Sequence, residues 1–122
     1  METANAYAWA LAVSGEPDKA REAVPIARAL YQDYPCYPWI AGTYGTAMIA
    51  AGQLELGIQM LREAYDDNLD NGLRAHNAAW LAIGEARRGR VDRAARWRAE
   101  AERLDPGCES RGLLGGEPPT TT

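Results

Sequence analysis

Residues 81–106, LAIGEARRGRVDRAARWRAEAERLDP, decide the fold. A helix-like run from Leu81 ends at Gly89, and a second run from Val91 sets Ala94, Trp97, Ala101 and Leu104 on one face of a 3.6-residue period. Asp105-Pro106 closes it, because proline cannot continue a helix and biases the residue before it toward extended backbone. Two helices joined by a glycine turn form a hairpin whose apolar faces must meet.

The same unit stands twice more upstream. Gly52 lies 37 residues before Gly89, and Gly15 another 37 before Gly52, each between two helix-like runs. Aligned on these glycines, Tyr7, Tyr44 and Leu81 form one column and Ala8, Gly45 and Ala82 the next. Ala20, Gly57 and Ala94 make a further column, as do Ala27, Ala64 and Ala101. A large residue followed by a small one lets the first helix insert an anchor while its backbone closes on the second, and glycine turns the chain with little strain. Punctuation at Gly15 and Pro17, Pro35 and Pro38, Asp70-Asn71-Gly72 and Asp105-Pro106-Gly107 predicts helices over 3–14, 17–33, 38–51, 54–67, 71–88 and 91–104. Pro25 falls inside the second of these, where proline costs ~3 kcal/mol and implies a late start or a bend.

These columns resemble the tetratricopeptide repeat. Leu81, Ala82, Gly89, Ala94, Ala101 and Pro106 match the family's large, small, turn-glycine, alanine and closing-proline positions, and Leu104-Asp105-Pro106 resembles its usual ending. Tyr7, Ala8, Leu11, Gly15, Ala20 and Ala27 repeat the pattern, with Pro35 later than the family's closing proline. Tyr44, Gly45, Met48, Gly52, Gly57, Leu61 and Ala64 repeat it again without a closing proline. The period of 37 exceeds the family's usual ~34, which places the extra residues at the joints between repeats. The resemblance implies an all-α fold, a right-handed α-α superhelix of about six helices in three hairpins. It assigns residues 1–106 to one domain, with repeats at about 4–37, 38–72 and 73–106. Residues 107–122 read as a flexible tail, in which Leu113 and Leu114 could fold back onto the last helix.

Composition agrees with a helical domain. Apolar residues make up 47% and charged residues 25%, enough for a modest core, and aromatic volume comes from four tryptophans and six tyrosines without phenylalanine. The net charge of −4 disfavours a nucleic-acid binder, which needs a basic footprint. Charge is uneven: residues 1–73 carry ten acids against four bases, and residues 74–122 seven against nine. Cys36 and Cys108 are isolated and read as free thiols in a reducing cytoplasm, with His76 the lone histidine, so no metal-ligand spacing is present. The apolar stretch Ala6–Val13 lacks a basic flank and is too short to span a bilayer, so neither a signal peptide nor a membrane anchor is expected.

In the family that the columns resemble, the first helix of each pair lines a concave groove. Carried onto this chain, those positions are Asn5, Trp9, Ala12 and Val13, then Trp39, Thr43, Thr46 and Ile49, then His76, Trp80, Ile83 and Arg87. The partner-binding candidates are accordingly Asn5, Trp9, Trp39, Thr43, Thr46, His76, Trp80, Ile83 and Arg87. Some family members grip acidic chaperone tails with a lysine, asparagine and arginine clamp, and this set has no such clamp. The resemblance therefore implies an apolar peptide, held by tryptophans with Arg87 as a polar contact. Against this stands core packing, the commoner role of tryptophans at helical spacing.

Two surfaces remain. Arg87, Arg88, Arg90, Arg93, Arg96, Arg98 and Arg103 interleave with Glu85, Asp92, Glu100 and Glu102, which reads as a solvated face laced by ion pairs before it reads as an anion or nucleic-acid site. The first helix is apolar on nearly every side, so further repeats, a second copy or a partner should cover it, whereas the last helix has a polar outer face that can end the array. No phosphate loop, metal cluster or nucleophile with a matching base is recognisable, and neither an enzyme nor a cofactor is expected. The acidic group Asp66, Asp67 and Asp70 reads as turn chemistry. The expected function is a protein-interaction module, bacterial and cytoplasmic, acting as a scaffold or the sensing segment of a larger regulator. A homodimerisation module pairing through the first helix is the alternative, and an anion or nucleic-acid binder the third.

Overall fold

The computed structural model describes residues 2–106; the tail, with Cys108, Leu113 and Leu114, lies outside the described residues. Six helices follow in order: α1 (Glu2–Ala12), α2 (Pro17–Asp33), α3 (Pro38–Ala50), α4 (Leu54–Asp67), α5 (Asn71–Arg87) and α6 (Val91–Leu104). No strand occurs among the described residues, so the all-α expectation holds. Each boundary falls within two residues of the sequence reading, and the differences lie chiefly where the first helix of a hairpin ends early to let its glycine turn.

Gly15, Gly52 and Gly89 have φ of 85, 95 and 82°, the left-handed region that side chains disfavour. Around Gly52 the turn is a Schellman motif, with Gln53 N–H donating to the Met48 carbonyl at 2.8 Å and Gly52 N–H to Ile49 at 3.0 Å. Around Gly89 the same pair recurs, Arg90 N–H to Glu85 at 2.8 Å and Gly89 N–H to Ala86 at 3.0 Å. The first hairpin closes differently. Its Ser14 hydroxyl donates to the Leu11 carbonyl at 2.9 Å and accepts from Glu16 N–H at 3.2 Å.

Starts are set as economically. Pro17 and Pro38 sit in the first turns of α2 and α3, where a missing N–H leaves nothing unsatisfied, and Asp70 caps α5 by accepting from Leu73 N–H at 3.0 Å. Pro25 does not delay α2, which runs unbroken over Pro17–Asp33. The proline and Arg21, whose carbonyl loses its partner there, are both exposed, so water can satisfy the gap.

Small residues bring the two arms of each hairpin together. Ala8, Ala20, Ala82 and Ala94 are at most 4% exposed, and the middle pair, Gly45 and Gly57, is also buried. A methyl group on Gly57 would lie 2.6 Å from Ile49 Cγ1 and 3.0 Å from the Gly45 carbonyl, so α3 and α4 approach closer than any side chain permits. Ala27, Ala64 and Ala101, also buried, repeat this economy on the second helices.

Packing is mostly sequential. Each helix packs along the next, and beyond that α1 packs on α3 and α3 on α5, while single side chains join α1 to α5 and α4 to α6. One core cluster joins Ile49, Ile58, Leu61, Trp80, Leu81 and Ile83 with flanking Trp9, Tyr65 and Trp97, and a second joins Leu11, Val24, Ala47 and Met48. The helices α1, α3 and α5 thus stand side by side along one edge. No helix is long and apolar enough to cross a membrane among the described residues.

Candidate binding groove

Along that edge a cavity of about 300 Å³ opens between α1, α3 and the start of α5. Asn5, Ala6 and Trp9 reach it from α1, and Trp39, Gly42 and Thr43 from α3. Leu73, His76 and Asn77 complete it from α5, together with Asn68 of the preceding connection. Asn5 and Trp9, like Trp39 and Thr43, are four residues apart, so each pair projects from one side of its helix. The Trp9 indole meets the His76 ring edge-on, with centroids 5.6 Å apart and planes at 89°, which carries α1 across toward α5.

Gly42 makes room for the polar part of the wall. A Cβ there would stand 3.0 Å from Asn77 Oδ1, so the bare backbone lets the asparagine lie against α3. The Thr43 hydroxyl donates to the Trp39 carbonyl at 3.0 Å. Asn77 Nδ2 and Asn5 Oδ1 are buried atoms with no hydrogen-bond partner among the described residues. No Asp, Glu, Lys or Arg lines the cavity among the described residues.

The groove candidates divide between two environments. Asn5, Trp9, Trp39, Thr43 and His76 line the cavity together. Thr46, Trp80 and Ile83 are 1, 6 and 3% exposed and packed inside, as are Ala12 and Ile49. Arg87 reaches back to donate to the Ile49 carbonyl at 3.1 Å, tying α5 to the end of α3. Five cavity residues, Ala6, Gly42, Asn68, Leu73 and Asn77, are absent from the groove candidates, and the repeat columns place the last three on no groove position. The glycine at 42, whose counterparts in the other repeats are Asn5 and Ala79, was the available hint.

Beside the cavity lies an exposed aromatic ledge from the segment YPCYPW, residues 34–39. Tyr34 and Tyr37 have ring centroids 6.0 Å apart, Tyr37 and Trp39 4.6 Å, and all three are 37–38% exposed. Cys36 within it is an exposed free thiol.

The arginine series is tied into the hairpins more deeply than a solvated face requires. Arg88 pairs with Glu55 of α4 at 3.1 Å, and Arg90 lies 3.8 Å from Glu85, a carboxylate only 1% exposed. Arg103 grips Glu100, which also accepts from the Tyr65 hydroxyl; the Arg103 bond first and the Tyr65 bond second lower the Glu100 carboxyl from its ordinary 4.5 to about 2. Burial, then the bond to Glu100, raises the Tyr65 phenol. Arg74 stacks 4.3 Å over the Tyr65 ring, whose edge meets Trp97 at 5.1 Å. No three His, Cys, Asp or Glu side chains gather as metal ligands would among the described residues.

Compared with protein-family models, with curated proteins and with solved structures, the chain matches none.

Proposed function

We propose that this chain is a protein-interaction module of the tetratricopeptide kind, three helical hairpins in a right-handed superhelix that holds an uncharged peptide segment in the α1–α3–α5 groove. One observation carries the reading. Five side chains expected in the groove, Asn5, Trp9, Trp39, Thr43 and His76, line a single cavity on the edge where the first helices stand side by side. The exposed aromatic ledge from Tyr34 to Trp39 extends this surface, and tyrosine and tryptophan are the residues that dominate binding energy at interfaces. The role is binding without catalysis, in a scaffold or sensing segment of a bacterial cytoplasmic protein.

Selection of displayed random peptides on the purified chain tests this, followed by affinity measurement on Trp39→Ala, whose side chain is exposed enough to remove without unfolding the domain. Enriched sequences free of charged residues, with affinity reduced at least about tenfold by Trp39→Ala, are expected. Peptides that bind the variant equally well, or no enrichment, would overturn the groove.

Self-assembly is a second reading with its own support. Tyr7 is 53% exposed, whereas its column mate Leu81 is fully buried and Tyr44 is covered by Tyr31 of the preceding hairpin, with ring centroids 5.6 Å apart. Light scattering decides it, since pairing through α1 requires a concentration-dependent dimer that Tyr7→Glu abolishes.

A further inference from the structure

Asn77 is 6% exposed and lines the α1–α3–α5 cavity, yet its Nδ2 finds no acceptor among the described residues. An idle buried amide donor is costly, and a fold tolerates it where something outside the chain supplies the partner. On the other side of α3, Asn5 Oδ1 is an equally buried acceptor without a donor, lining the same cavity. The hydroxyl of Thr43 gives its hydrogen to the Trp39 carbonyl and retains only acceptor capacity. The wall therefore offers one idle N–H donor and one idle oxygen between two indoles, and no Asp, Glu, Lys or Arg among the described residues.

Such a wall selects by charge. A carboxylate or ammonium entering it would lose its water without meeting a lysine, arginine or carboxylate partner, a cost far above that of one hydrogen bond. A neutral amide presents a carbonyl and an N–H together, the complement of what stands idle. At about 300 Å³ the cavity is at the small end of ligand sites, suited to one residue of a chain.

We infer that the cavity is a subsite for the main-chain amides of an uncharged, extended partner segment, resting on the groove reading above. Asn77 Nδ2 donates to a peptide carbonyl, Asn5 Oδ1 accepts from a peptide N–H, and one aliphatic or aromatic side chain seats between Trp9 and Trp39. Asn77 is the determinant of this preference, and it occupies none of the groove positions read from the repeat.

The test is a titration of the intact ¹⁵N-labelled chain with three probes, N-acetyl-leucine methylamide, N-acetyl-leucine and leucine methylamide, which are neutral, anionic and cationic at pH 7. Saturable shifts of the Asn77 side-chain amide and the Trp9 and Trp39 indole signals are expected with the neutral probe. Each charged probe should bind at least about tenfold more weakly, and Asn77→Leu should weaken the neutral one by a similar factor. Should Asn77→Leu fail to fold, Asn5→Leu reads the acceptor side, with the same expected loss. Equal binding of the acid, an unchanged titration in the folded variants, or no response at the solubility limit of the neutral probe would each overturn the amide subsite. A selected peptide that needs Trp39 but ignores Asn77 and Asn5 would remove this inference and leave the groove reading standing.

Discussion

Glu85 is the residue at which the third hairpin departs from the other two. Leu11 and Met48 occupy its column, and the Schellman turn brings this position beside the residue after the glycine, which is why the buried carboxylate meets Arg90 at 3.8 Å. In sequence, Glu85 among arginines reads as surface; only its place on the inner side of α5 buries it. Because the pair is loose and Arg90 is part-exposed, Glu85→Met should stabilise the fold, whereas Arg90→Leu, stranding the carboxylate, should cost about 2 kcal/mol in urea unfolding. The glycines separate in the same assay. Gly52→Ala meets nothing within 4 Å and should lose about 1 kcal/mol for its positive φ alone, while Gly57→Ala pushes on Ile49 and the Gly45 backbone and should lose more, about 2–3 kcal/mol. Glu100 has a folded value near 2, below its ordinary 4.5, so its contribution is complete above pH 4.5 and is lost as pH falls toward 2. The stability gap between the native chain and Glu100→Gln should therefore be constant at neutral pH and close through that window.

At the scale of the helix, what was legible was where each began and ended. Prolines, the Asp70 cap and the glycines are local devices, acting within one turn of themselves, so α2, α4 and α6 ran to the residues expected. Pro25 is the exception in kind: its cost is local, but its effect on α2 depended on which side of the helix faced water. Pro25→Ala should raise stability by about 2 kcal/mol, the proline penalty less the gain in unfolded-chain freedom, with no change in the helical circular dichroism. Legibility of the groove was poorer. Trp9, Trp39 and Trp80 look alike in sequence, yet one is half-buried against His76, one exposed and one in the core. Helical spacing gives a side chain's direction, not the distance to the neighbouring helix that covers it.

Across the whole molecule, the described helices pack chiefly on their neighbours and along the α1–α3–α5 edge, so stability should accumulate from adjacent interfaces. Hydrogen exchange should be slowest in α3 and α5, which are packed on several sides, and faster in α1, whose Tyr7 side is open. Uniform protection across all six helices would instead indicate one indivisible core. The sequence by itself determined the helices, their turns and the threefold register, because a 37-residue period of glycine and small residues is written locally and repeats whatever surrounds it. Only the tertiary structure decided which side chains meet in the cavity, that Asn77 and Asn5 face it with idle amide atoms, and that Glu85 is enclosed. Those outcomes depend on how closely three separate helices approach, a distance set by packing along the array and by no single stretch of chain.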